Sequence, residues 1–144
     1  WALASLITVL IYPFFPASGP YLHFGVTPQD IPHFDVDFPW TTGDTITAIR
    51  DGSLRDLAKA MTGLVSFPSF HFAAAVLFAW AILPVLWLRV PIVMLNIAMG
   101  FATIIIGSHY LVDLFAGAVV AALAIYGAKI LVRKSADITP EASP

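Results

Sequence analysis

Three apolar runs stand almost end to end in the second half of the chain. They cover residues 70–88, 92–106 and 109–132, and only Arg89 to Pro91 and the pair Gly107–Ser108 interrupt them. A run near ~20 apolar residues crosses a bilayer as a helix. Interruptions this short leave consecutive helices side by side, running up, down and up. A further apolar run over residues 1–15, closed by Pro13 and Pro16, reads as the end of another span. The chain is 59% hydrophobic and 11% charged, where a soluble domain carries about 25% charged residues. A core of this size cannot bury that much apolar surface, so lipid covers much of it. The predicted fold class is all-α, a multi-pass transmembrane helical bundle.

Between the first and second runs lies a polar stretch over residues 17–66. It is rich in Pro, Gly, Asp and Thr and holds six of the nine acidic residues, Asp30, Asp35, Asp37, Asp44, Asp51 and Asp56. Within it, residues 44–61 carry Ile46, Ile49, Leu54, Leu57, Ala58 and Met61 on or near one helical face. The expected layout is one membrane-embedded domain over 1–134, with a partial first helix 1–16, the insert 17–66, core helices 69–88, 91–107 and 109–132, and a disordered tail 135–144. The chain starts at Trp1 inside an apolar run with no basic segment before it. That is unlike a signal peptide, and earlier helices are expected ahead of it.

Arg89 lies between the second and third spans, and Lys129, Arg133 and Lys134 lie at the end of the last one. All four fall on one side, which the positive-inside rule makes cytoplasmic. The insert is then an extracytoplasmic loop and the tail is cytoplasmic, in a cell-membrane protein. The net charge of −2 argues against nucleic acid as a partner, because no basic stripe exists to neutralise phosphates. Cysteine is absent, which excludes disulfides, thiolate metal sites and cysteine nucleophiles.

The outer ends of the helices carry the chemistry. The second span opens Pro68-Ser69-Phe70-His71, and the fourth opens His109-Tyr110-Leu111-Val112-Asp113. Both starts lie on the same side, so His71, His109 and Asp113 are expected at one depth. Ionisable groups within a span are costly and are functional candidates by default. His109 and Asp113, four apart, share a helix face. A carboxylate at one imidazole nitrogen fixes the tautomer and leaves the other nitrogen to act as nucleophile. His71 can then protonate the leaving oxygen. Pro68 and Ser69 open a helix, whose first N–H groups would face a phosphate, with the Ser69 hydroxyl beside them. His23 and His33, in the Pro-rich insert, show no metal spacing and read as solvated. Phe72, Phe78, Trp80 and Trp87 read as lipid-facing or packing surface, and Gly117 with Ala121 as a close helix contact.

These residues resemble a known family. Phe67-Pro68-Ser69-Phe70-His71, and His109-Tyr110-Leu111-Val112-Asp113 followed by Gly117, are similar to two signatures of the type 2 phosphatidic acid phosphatase superfamily. The resemblance is nearest to its branch of inositol phosphorylceramide and sphingomyelin synthases, which Phe15-Pro16-Ala17-Ser18-Gly19-Pro20-Tyr21 also resembles. It implies a helical bundle, a nucleophile at His109, an acid/base at His71, an orienting Asp113, no metal or other cofactor, and a membrane lipid carrying a phosphate as substrate. Two positions depart from the phosphatase pattern. Thr103 stands where an Arg precedes the nucleophile, and Phe70 stands where the phosphatases have Gly. The earlier Lys and Arg signature is not visible either. Arg50 is the replacement candidate for phosphate binding, since a guanidinium grips phosphate oxygens in a bidentate fork.

Three functions fit the pattern. One is an enzyme that moves a phosphoryl or phospho-headgroup onto His109 and then onto water or an alcohol such as inositol. Another is a transport module using the same cluster as a proton or ion site. The third is a degenerate structural subunit. Pro84 lies mid-span, as in the broken helices of transporters, but the polar residues gather at helix ends and no member of the triad is lost. That favours the enzyme.

Overall fold

The computed structural model describes residues 1–15, 17–33, 38–55 and 67–138. All the regular elements among them are helical. They are α1 (Ala2–Ile11), a 3-10 turn (Tyr12–Phe14), α2 (Pro20–Phe24), α3 (Phe38–Arg50), α4 (Phe70–Ile82), α5 (Leu86–Ile105) and α6 (Leu111–Ile138). Pro13 ends α1 because it removes the N–H that another α-helical turn needs. Pro20 opens α2, where that loss costs nothing, and Gly25 closes it in the left-handed conformation at φ 68°.

The centre of the structure is α4, which packs against both α5 and α6, while α1 lies on α6 and α4. Small side chains make this possible. Ala4, Ala73, Val120, Ala121 and Ala124 form the buried core, ringed by Leu3, Ile7, Ile11, Phe70, Val76 and Leu77. Gly117 meets the carbonyl of Ser69 so closely that a Cβ there would overlap its oxygen. Gly100 of α5 likewise receives the ring of Phe72, 2.9 Å from where a Cβ would stand. At the other end Lys129 Nζ lies 5.8 Å above the Trp80 ring, so α4 and α6 run parallel.

Two helices, Leu86–Ile105 and Leu111–Ser135, are long and apolar enough to cross a membrane. Their outer surfaces expose Trp87, Met94, Phe101, Phe115 and Tyr126. Phe78 and Trp80 are also exposed, and a continuous apolar exterior of this kind marks contact with lipid or protein.

Three boundaries differ from expectation. The second core helix does not run to 88. It stops at Ile82, the chain turns at Leu83–Pro84, and α5 begins at Leu86 and passes straight through Arg89 and Pro91. Both prolines interrupt apolar sequence, but Pro91 falls early in its helix, where φ is already suitable and one backbone bond is lost, whereas Pro84 would break a helix interior. The insert helix begins at Phe38 rather than 44 and ends at Arg50, because Gly52 turns the chain at φ 77°. The Asp51 carboxylate accepts the Ser53 N–H at 2.9 Å in that turn, and hydrogen bonding to the Ser53 hydroxyl and N–H holds the exposed carboxyl below its ordinary pKa. The expected helical positions Leu57, Ala58 and Met61 lie outside the described residues. Finally, α6 continues past 134 to Ile138, since Arg133, Lys134 and Ala136 are sound helix formers. The rest of the expected disordered tail, from 139, lies outside the described residues.

The insert folds against itself through aromatic residues. Trp40 Nε1 donates to the Val26 carbonyl at 2.7 Å, and the Tyr21 and Trp40 rings lie 5.6 Å apart. Thr27 donates its N–H and its hydroxyl to Asp30 Oδ2, at 2.8 and 2.7 Å, closing a turn.

Candidate active site

The start of α6 builds the site around one carboxylate oxygen. Asp113, the third helical residue, reaches back so that its Oδ2 accepts the Tyr110 N–H at 2.8 Å. This is one half of a capping box, and it also sets a negative charge against the positive end of the helix dipole. The same Oδ2 lies 3.5 Å from His109 Nδ1. Both side chains are buried, with Asp113 1% and His109 4% exposed. The separation is longer than an ordinary N–H···O bond but within ion-pair reach.

His109 itself sits in the five-residue turn between α5 and α6. The Thr103 carbonyl accepts the N–H of Ser108 at 3.2 Å and of His109 at 3.3 Å, so Thr103 anchors the backbone of the histidine. Its hydroxyl turns inward and donates to the Gly100 carbonyl at 2.8 Å. Thr103 therefore holds the turn through its main chain and spends its side chain on its own helix.

The start of α4 is fixed to this turn. Ser69 is the N-cap, its Oγ accepting the Phe72 N–H at 3.3 Å. Its own N–H donates to the Asp113 carbonyl at 3.1 Å. With Gly117 admitting the Ser69 carbonyl, the two helix starts are locked in register. Two residues further on, His71 faces His109 with ring centroids 6.2 Å apart and planes at 59°. His71 is exposed, whereas the pair behind it is buried.

The structure thus brings His71, His109 and Asp113 together. Ser69 is beside them but has no exposed surface, and its hydroxyl serves as a helix cap. Arg50 is exposed at the end of α3. Among the described residues no three His, Asp or Glu side chains are grouped to hold a metal ion.

Sequence reasoning passed over Tyr110, Tyr21 and His23. His23 of α2 lies with its ring 6.2 Å from that of Tyr110, and Phe24 lies 6.5 Å from it, so the insert covers the start of α6. The available signal was position, since Tyr110 stands inside the His-x-x-x-Asp motif and Tyr21 closes the stretch from Phe15.

Two hollows adjoin the site. An open depression of about 320 Å³ is lined by Phe15, Ala17, Phe67, Tyr110, Val112 and Asp113. A groove of about 200 Å³, wholly apolar in its side chains, runs between α5 and α6 with Phe72 in its wall, and Ile97, Gly100, Phe101, Ile104, Leu111, Leu114 and Phe115 complete it.

Comparison with known proteins agrees with the motifs. Neither a curated protein nor a solved structure matches the chain. A family model described as the PAP2 superfamily matches residues 1–127. That match takes in the starts of α4 and α6, and with them Ser69, His71, His109 and Asp113. The chain belongs to the PAP2 superfamily, and with that membership goes phosphatase-type chemistry on lipid phosphoesters.

Proposed function

We propose that the protein transfers a phosphoester group from a membrane lipid through a phosphohistidine at His109. The observation that carries this reading is the buried His109–Asp113 pair, 3.5 Å apart, with the second histidine facing it at 6.2 Å. With Nδ1 turned to the carboxylate, Nε2 is the attacking nitrogen. It forms a bond to phosphorus as the bond to the leaving oxygen breaks, and His71 gives that oxygen a proton. Asp113 stabilises the imidazolium character that develops. In the second half, water or an alcohol attacks phosphorus, its proton passes to His71, and the N–P bond breaks to return neutral His109.

A lipid substrate is supported by the apolar groove, which begins at Phe72, the residue after His71, and at Leu111, two after His109. The exposed apolar surfaces of α5 and α6 support a multi-pass membrane bundle. Arg89, Lys129 and Arg133 lie toward the end remote from the histidines, which by the positive-inside rule supports an extracytoplasmic site. Arg50, on the insert, is the candidate cation for the phosphate.

Transfer to an alcohol is given an edge over hydrolysis by Phe15 and Phe67, which line the depression beside Asp113, and by Thr103. Apolar walls and the absence of an Arg at position 103 suit a drier site where a positioned acceptor competes with water. The test is to incubate the protein with lipid labelled at phosphorus, quench in alkali and map the modified residue. Label on His109 sustains the reading, and full turnover by His109→Ala removes it. Adding inositol and other polyols then separates transferase from hydrolase. Release of phosphate or free headgroup at a rate indifferent to every alcohol makes the protein a hydrolase.

A further inference from the structure

A helix leaves its last four carbonyls without partners inside the helix. For α5 these belong to Ala102, Thr103, Ile104 and Ile105. The turn that follows supplies partners for three. Ile106 N–H donates to Ala102, Ser108 and His109 N–H to Thr103, and Gly107 N–H to Ile104. The fourth, Ile105, accepts the hydroxyl of Tyr21, which arrives from the insert 84 residues away.

The fit around that hydroxyl is built from both sides. Gly107 has φ 72°, and a Cβ on it would occupy the space of the Tyr21 ring. A Cβ on Gly19 would stand 2.8 Å from the Gly107 oxygen. Trp40 packs on the far side of Tyr21 and is itself tied to Val26. Two glycines, one phenol and one indole therefore clamp the turn that carries His109.

We propose that Tyr21 is a positioning residue for the nucleophile, so that the insert is a working part of the catalytic machinery. This rests on the phosphohistidine reading. Tyr21 touches neither substrate nor the reacting atoms. It acts by completing the carbonyl set of α5 and pinning residues 105–107, so that His109, two residues on, stays in line with Asp113 and opposite His71. Loosening the turn leaves lipid binding intact and lowers the fraction of molecules with His109 in attacking position.

The experiment compares wild type, Tyr21→Phe, His109→Ala and a control, Tyr126→Phe, which alters an exposed tyrosine of α6. Each is purified in detergent and supplied with phosphatidic acid labelled with ³²P. Tyr21→Phe keeps the ring and loses one hydrogen bond, so kcat and the rate of phosphoenzyme formation should fall about fivefold to tenfold with KM unchanged. Hydrogen exchange at the amides of residues 106–110 should quicken by a similar factor, and Tyr126→Phe should match wild type in both. A Tyr21→Phe protein that melts earlier but exchanges and turns over like wild type overturns the inference, because that is a purely structural role. Should His109→Ala remain as active as wild type, the phosphohistidine reading fails instead. The exchange measurement needs no substrate, so unchanged exchange overturns the clamp even for a preparation that does not turn over this lipid.

Discussion

Replacing Asp113 by Asn separates the two tasks of one oxygen. An amide oxygen still accepts the Tyr110 N–H, so the cap on α6, worth about 1 kcal/mol, is retained and the fold should survive. What is lost is charge. Unit charges 3.5 Å apart at an effective dielectric of about 20 attract by roughly 5 kcal/mol. The imidazole is neutral before attack and cationic as the N–P bond forms, so this attraction acts mainly in the transition state. The amide dipole returns part of it, which leaves a penalty of about 3–4 kcal/mol and a loss of roughly 10² to 10³ in the rate of phosphoenzyme formation. The assay is rapid-quench measurement of ³²P incorporation at saturating lipid, with a thermal melt in the same detergent. A melt near wild type with a rate within tenfold of wild type would refute the electrostatic role of Asp113. Asp113→Ala should be worse in both, because it also removes the cap on the half-buried Tyr110 N–H, at a cost of about 1 kcal/mol.

Further outcomes follow from the same geometry. His71→Ala should slow lipid esters with poor leaving groups far more than an aryl phosphate such as p-nitrophenyl phosphate, whose leaving oxygen needs no proton; equal losses on both would remove His71 as the acid. Ser69→Ala should lower stability by about 1 kcal/mol through the lost N-cap and leave kcat within a few-fold, and a melt unchanged in detergent would contradict the cap. Gly100→Leu would place a side chain against Phe72 and fill the apolar groove, so activity on long-chain lipids should fall while activity on a water-soluble phosphate ester persists; the reverse pattern would show that the groove holds no chain. Turnover should fall in alkali as His71, the acid, loses its proton, and a rate that stays flat as the pH rises would contradict its role.

The site was more legible than the paths that assemble it. The spacing of His109 and Asp113 puts them on one helix face whatever else the chain does, and the Pro-Ser start of α4 already marks a helix end. The helix boundaries were less readable, because Pro84 and Pro91 look alike within apolar sequence. Which of them breaks a helix depends on how many turns precede it, and hydropathy does not encode that. The central place of α4 was hidden as well. It follows from Gly100 and Gly117, whose meaning lies in the Phe72 ring and the Ser69 carbonyl that approach them. The role of Tyr21 had least signal of all, since its partner is a main-chain carbonyl and pattern reading pairs side chains. For Arg50, guanidinium chemistry suggests a phosphate ligand, but the sequence alone does not encode where the end of α3 places it.

The bond between Tyr21 and Ile105 also orders events in time. Its two partners are 84 residues apart, and a ribosome adding about 5–20 residues per second makes them several seconds apart. In that interval α2 and Trp40 can already be folded around the phenol, with Val26 supplying the local tie. The insert then waits as a preformed socket. The histidine turn is the late arrival, and loop closure over so many residues is a slow, entropically opposed step. On the phosphohistidine reading, a nascent chain stays inert toward lipid until the start of α6, which carries Asp113, has docked on α4.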